Sequence, residues 1–433
     1  MATNIIESHT RGVFRRWREL ARRFSHINWA LADQAIVSGT NFATTVMIAR
    51  FLGIEEFGRF VLAWLAVFFA QNLQIALIID PMMTIGAKQA PAERPAYSGA
   101  VLIQQVLLAV VSSVAAFLFL KASGRFFPDW NLAPIALPVA LLVLAAQAAD
   151  FLRRYFFTFS RPHLSFLVDC VRYGGQLLML AVLFVFAADN ATTGNAVYAM
   201  ATAALLGALV GAPWVRGLSF VRGTVISVTQ RHWRFARWLA PSVLSIWARE
   251  NLIYTVVGAK LGLADVGILR AAQQLVTMVN VPLHGFANVV PMRAGAAYAK
   301  QGYAGLVDFI EFFVLRYMAV IFAVLAIIAL AGEPLLVFVY GQEYAGNGYL
   351  VSAFSLVMAI VLVRTIVAIM MRAMEATVYE FYASAASIAL MAFTIIPLVQ
   401  YFGMSGAMVA AALYECAGLA AIALGLGKLR TRA

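Results

Sequence analysis

Charge is what this sequence has least of. Only 12% of its 433 residues are Asp, Glu, Lys or Arg, whereas 63% are hydrophobic and the mean hydropathy is +0.85. So few polar groups cannot cover a water-soluble globule, which excludes a soluble domain of this size. Cysteine is nearly absent: Cys170 and Cys416 stand inside apolar runs with no CxxC and no His/Cys cluster beside either. That excludes a disulfide framework and a thiolate metal site, and no cofactor or metal is expected. His163, His232 and His284 are isolated from one another, and the chain has no DxD-like pair, GxSxG or HExxH. An integral membrane polymerase or glycosyltransferase would need a water-facing loop carrying such groups, so catalysis is not expected.

Long apolar runs are what the sequence does have. We place them at 28–50, 57–79, 98–120, 131–150, 163–187, 195–214, 238–260, 265–290, 305–331, 347–370, 378–401 and 404–427. Each is about long enough to cross a bilayer core of ~30 Å as a helix of roughly 20 residues. The period-2 alternation of a membrane barrel strand is missing, and the joining segments, such as "KQAPAERPAYSG", are short and rich in turn residues. The expected fold is an all-α integral membrane protein of about twelve transmembrane helices. The first run follows a basic leader, carries Asp33 and Gln34 and is not followed by an A-x-A cleavage site, so it reads as a span and not as a signal peptide.

The net charge of +12 would suit nucleic acid if the basic residues were clustered for it, but they gather in every second loop. Twenty-two Lys and Arg fall in the set of segments that includes both ends of the chain, against five in the alternate set: Arg50, Arg59, Lys121, Arg125 and Lys260. The positive-inside bias then places both termini in the cytoplasm, with no nucleic-acid partner expected. In the leader, residues 1–27, Phe14, Trp17, Leu20, Ala21 and Phe24 recur at helical spacing among arginines, as in a helix lying in the headgroup layer; a solvated basic tail is the plainer alternative. Trp29, Trp64, Trp130, Trp214 and Trp238 fall near span ends, where interfacial anchors sit.

Two short stretches repeat. "ARFLGIEEFGRF" at 49–60 and "AKLGLADVGILR" at 259–270 align with Gly53 on Gly262 and Gly58 on Gly267, offset by 209 residues. The glycines suit a tight connection that needs a left-handed or closely packed residue just past a helix end. Gln71 falls on Asn280 at the same offset, and Pro81-Met82 matches Pro291-Met292 at 210. The chain therefore divides into two copies of a six-helix unit: 28–214 and 238–427, joined by a basic cytoplasmic segment 215–237 and followed by a tail 428–433. Six being even, both copies enter the membrane from the same side, the parallel repeat found in transporters.

With "RFLGIEEFGRFVLA" after "LADQAIVSGTNF", and "AKLGLADVGILRAA" in the matching place of the second half, the sequence resembles the multidrug/oligosaccharidyl-lipid/polysaccharide (MOP) flippase superfamily. Within it the resemblance is to the bacterial polysaccharide transporter branch, the Wzx-type flippases. It implies two six-helix lobes in a V around a cavity open alternately to either side. It also implies a polyprenyl-pyrophosphate-linked glycan as substrate, with membrane lipids and a polysaccharide polymerase or export machinery as partners. Lipid II flippases of that superfamily carry two further C-terminal helices, and twelve spans argue against that branch.

An ionisable group at bilayer depth costs at least a few kcal/mol, so each should meet a partner or a wet cavity. Arg249 and Glu250 lie near the middle of the seventh span, with Asn251 beside them, and Arg270 lies a little over a turn into the eighth. By the resemblance, spans one, two, seven and eight line the cavity. There an arginine fork would suit a pyrophosphate, although Arg270 at the interface would also be explained by snorkelling. Adjacent helix positions point about 100° apart, so Glu250 is expected to turn from Arg249 toward another helix. Asp33, with Gln34 beside it, suits a cross-cleft pair, a proton or sodium site for coupling, an inner gate or a structural ion pair. Asp169 and Arg172 are spaced to pair locally, and Arg316 and Glu415 are expected to pair between helices. The expected function is flipping of an undecaprenyl-pyrophosphate-linked oligosaccharide for lipopolysaccharide, O-antigen or exopolysaccharide synthesis. The alternative is a drug or cation antiporter of the same superfamily.

Overall fold

The computed structural model describes residues 34–188, 191–376 and 378–430. Asp33 and the leader lie outside the described residues. The elements run α1 (Gln34–Leu52), α2 (Ile54–Gly86), α3 (Arg94–Ser123), α4 (Ala133–Thr158), α5 (Pro162–Phe186) and α6 (Thr193–Trp214). They continue with α7 (Arg222–Lys260), α8 (Leu263–Thr277), α9 (Asn280–Phe309), α10 (Leu315–Leu330), α11 (Gly332–Tyr340), α12 (Gly348–Ala373) and α13 (Val378–Arg430). Every expected span falls on a helix, and among the described residues there is no strand.

Among the described residues, nine helices are long and apolar enough by themselves to cross a membrane. The other expected spans have visible reasons for escaping that criterion. The seventh carries Arg249 and Glu250, α8 has only 15 residues before a break at 278–279, and the last two run together as one helix interrupted at Gly403. Gly302 and Gly403, at φ +63° and +57°, break α9 and α13 in the left-handed region that glycine enters at little cost. The segment expected as a linker becomes helical at Arg222 and runs without interruption into the seventh span, through Pro241.

By its contacts the chain forms two compact units. The first holds residues up to Met47, Ala66–Ser123 and Leu132–Leu244; the second holds Ile48–Leu65, Gly124–Asn131 and the chain from Ser245 onward. The boundary in α7 falls just after Pro241, where the helix loses a backbone donor.

In the first unit α3, α4 and α6 pack side by side around small residues, and polar side chains bind the helices internally. Gln74, Gln105 and Gln147 are all buried: Gln74 Nε2 donates to Gln105 Oε1 at 2.9 Å, and Gln147 Nε2 donates to the Ala70 carbonyl at 2.9 Å. The basic start of α7 docks on the same unit. Val228 joins its core, Gln104 donates to Thr229 at 2.8 Å, and buried His232 sits 2.9 Å from the Tyr97 hydroxyl. Burial, and then the neighbouring Arg231 charge, lower the His232 pKa to about 4.

In the second unit the two repeated turns cross each other. Gly53 and Gly262 turn the chain at φ +81° and +119°. Five residues on, Gly58 and Gly267 bring each helix against the other's first turn. A Cβ on Gly58 would lie 1.8 Å from the Leu263 carbonyl oxygen, and one on Gly267 would lie 2.5 Å from that of Ile54. Leu263 and Ile54 are themselves separated by 209 residues, the offset of the repeat, so the contact is reciprocal. Trp130 belongs to this crossing and not to a membrane interface. It is 5% exposed, donates from Nε1 to the Gly258 carbonyl at 2.9 Å, and accepts from Arg59 Nε at its own carbonyl. Nearby, Glu333 caps α12, its two carboxylate oxygens accepting from the backbone N–H groups of Gly346 and Gly348 at 2.6 Å each.

Two outcomes follow for stability. Gly58→Ala should cost about 3 kcal/mol or more, because a backbone oxygen cannot swing aside, whereas Gly53→Ala should cost only the ~1–2 kcal/mol of a left-handed alanine. Melting of the purified protein in detergent ranks the two, and the opposite order would contradict the crossing. The His232 contribution has a definite sign: a depressed pKa means stability complete above ~6.5 and lost as pH falls from there toward 4, by at most ~3 kcal/mol. Melting temperature measured between pH 7.5 and 5 should therefore fall more steeply for the wild type than for His232→Phe. Parallel curves would show that the buried imidazole is not the titrating group.

Candidate functional site

The candidate side chains on α7 and α8 all belong to the second unit. Arg249 stands eleven residues before Lys260 at the end of α7, about 16 Å along the axis. Its side chain is 21% exposed and its Nε is buried with no hydrogen-bond partner among the described residues. Glu250, 60% exposed, does not turn away as the 100° offset suggested: its Oε1 lies 3.7 Å from Arg249 Nη2. Both side chains are long enough to close the angle, which corrects the sequence expectation. Asn251 is buried and donates to its own helix at the Trp247 carbonyl, 2.8 Å away, so its amide hydrogen goes to backbone.

Arg270 on α8 faces the same stretch of α7. It donates to Gln273 Oε1 at 2.9 Å and lies 5.7 Å from the centroid of the Tyr254 ring, whose hydroxyl donates to the same Gln273 oxygen. The charges of Arg249, Glu415 and Arg270 all act on Glu250, so these groups form one electrostatic neighbourhood. Guanidinium N–H groups there remain available to an anion with several oxygens. Gln34, on α1 in the first unit, donates to Ser38 within its own helix at 3.0 Å, while Asp33 lies outside the described residues.

Two expected ion pairs are replaced by others. Glu415 on α13 pairs with Arg364 on α12 at 2.9 Å, and not with Arg316, which lies over the Phe312 ring at 4.2 Å. Room for this pair comes from Gly418, where a Cβ would lie 2.7 Å from Arg364 Nη1, and Ser384 accepts from the same guanidinium at 3.2 Å. In the first unit Asp169 pairs with Arg153 of α4 at 2.6 Å instead of Arg172. The reason is local: residues Cys170–Gly174 form a π turn, which widens the helix and spoils the i,i+3 alignment. Arg172 lies over the Tyr173 ring at 4.8 Å, its Nη1 buried without a hydrogen-bond partner.

Tyr254 is the member of this neighbourhood that sequence reasoning missed, whereas Gln273, three residues after Arg270, shares its helix face. The tyrosine's contact crosses helices and has no local mark.

No family model matches the chain, and no curated protein does. Solved structures do. An inward-facing multidrug resistance MATE family transporter of the MOP superfamily superposes with a TM-score of 0.73 at 15% identity, covering 92% of this chain and 96% of the other. The lipid II flippase MurJ, in an inward closed conformation, gives 0.72 at 11% identity over 93% and 87%. A MOP superfamily transporter from Pyrococcus furiosus, described by a reversed polarity of its binding pocket, gives 0.61 at 14% over 94% and 95%. At such identities the likeness is one of fold, and the chain has the fold of the MOP superfamily transporters, a multi-pass membrane protein.

Proposed function

We propose that the protein is a flippase for a polyprenyl-pyrophosphate-linked oligosaccharide in a bacterial inner membrane, with both termini cytoplasmic. The observation that carries this reading is Arg249: among the described residues, the carboxylate nearest its guanidinium is largely exposed and its Nε has no hydrogen-bond partner. A buried positive charge of that kind favours an anionic headgroup and disfavours a cation. Arg270 supports it from α8, the pyrophosphate bridging the two guanidiniums, and Glu250 sets the resting orientation of Arg249. The lipid II flippase among the solved neighbours moves a lipid-linked substrate, in keeping with this reading.

Transport proceeds by alternating access, the six-helix copies 28–214 and 238–427 rocking against each other. Proton or sodium coupling falls to Asp33. A second reading, a drug or cation antiporter, is favoured by the multidrug transporter that superposes as well as the flippase does. The two separate on the sign of the substrate charge.

Arg249→Ala should abolish export of the lipid-linked glycan while the protein still reaches the membrane. Lys at the same position should restore only part of it, because the bidentate fork is lost. Undiminished export in Arg249→Ala removes this residue from the site. Drug efflux that disappears in Asp33→Asn, with surface polysaccharide unchanged, would establish the antiporter instead.

A further inference from the structure

Between α3, α4 and α6 of the first unit lies a groove of about 440 Å³ that the transport site does not use. Its floor is alanine: Ala145, Ala201 and Ala208 are buried where the helices meet. Its rims are long aliphatic side chains left uncovered, with Val106, Leu205 and Leu209 all about half exposed or more. Small residues below and branched ones beside make a trough with the cross-section of a single hydrocarbon chain. Along α6 it runs from Tyr198 to Ala212, about 21 Å at helical rise, which exceeds the ~15 Å half-thickness of a bilayer core.

Of the polar groups along the groove, the Thr202 hydroxyl donates to the Tyr198 carbonyl of its own helix at 2.9 Å and Gln105 is held by Gln74, while the Tyr198 phenol stands at the end of the trough away from Ala212. Between these an occupant meets mostly apolar side chains. The other end of the trough is different. Directly after Ala212, the Pro213 carbonyl accepts from Arg216 Nε at 3.1 Å, and the Trp214 carbonyl accepts from Arg161 Nη1 at 3.4 Å. Arg216 also lies over the Trp214 ring at 5.8 Å. Each of these contacts uses one N–H of an exposed guanidinium and leaves the others free to face the headgroup layer. The acids at this end of α4 and α5 are engaged elsewhere, Asp169 by Arg153 at 2.6 Å and Asp150 by Arg153 and Arg154 at 4.0 and 3.9 Å.

We infer that this groove is a binding site for one anionic phospholipid, its acyl chain in the trough between α3, α4 and α6 and its phosphate on Arg161 and Arg216. The lipid comes from the leaflet beside the arginine-rich helix ends. This site is independent of the substrate assigned above, because none of its residues belongs to α7 or α8.

Native mass spectrometry of the full-length protein, stripped of lipid in detergent and then titrated with phosphatidylglycerol or with phosphatidylcholine of the same chains, tests the assignment. One phosphatidylglycerol should be retained in preference to phosphatidylcholine. Replacing Arg161 and Arg216 by Gln should reduce that preference roughly fivefold for each guanidinium removed. Thr202→Trp and, separately, Leu209→Trp fill the trough from its lipid side without touching the buried floor, and should weaken retention of both lipids. Equal retention of the two lipids by the wild type, or retention unchanged by both tryptophans, would overturn the site. So would a dimer mass that the tryptophans abolish, since the trough would then be covered by a second copy.

Discussion

The second unit depends on a contact in which two helix starts press against each other with no side chain between them. Gly58 meets the Leu263 carbonyl and Gly267 meets that of Ile54, and neither approach leaves space for a Cβ. Backbone-to-backbone packing of this closeness is the membrane route to helix association, where lipid offers no hydrophobic drive between helices. Because the pair is reciprocal at the offset of the repeat, the first copy's turn is built into the same unit as the second copy's. The residues 48–65 accordingly pack with α7 and α8, and Trp130 and Arg59 fasten the same place by hydrogen bonds. The fixed crossing also sets the depth at which α7 presents Arg249 and α8 presents Arg270.

Charge in the apolar interior then divides into two kinds. Arg153 with Asp169, and Arg364 with Glu415, are close pairs between helices, the second held where Gly418 leaves room. Such pairs fasten helices and are silent toward a ligand. Arg249 is of the other kind: the carboxylate of Glu250 is at 3.7 Å and mostly exposed, and its Nε is buried without a hydrogen bond among the described residues. A site that keeps such an imbalance at bilayer depth suits a ligand that brings its own negative oxygens. The arginines at the end of the α6 groove repeat the chemistry at the headgroup level, where solvation makes the charge inexpensive to hold.

Much of the fold was legible because the bilayer imposes one requirement, a helix of sufficient apolar length, and most of the expected spans satisfy it. The glycines of the repeat were legible as places needing a turn or a close approach, since glycine enters the left-handed region at least cost and alone has no Cβ to clash. Partner choice among charges was not. Glu250 and Arg249 were assigned apart on helical angle alone, yet flexible side chains closed the gap. Asp169 and Arg172 were assigned together on spacing, yet a π turn between them moved the register. The Arg364–Glu415 pair depends on the absence of a side chain at Gly418 on a neighbouring turn, which spacing along one helix cannot reveal. Helical periodicity reads faces well and reads long-range partners poorly.

With Arg249 and Arg270 as the headgroup contacts, the interior site selects a negative headgroup. The most direct measurement uses the purified protein in vesicles, following translocation of a polyprenyl-pyrophosphate oligosaccharide beside a neutral polyprenyl glycoside with the same sugar. The pyrophosphate lipid should be moved and the neutral one should not. Movement of both at equal rates, or transport of a lipophilic cation with neither lipid moved, would contradict it.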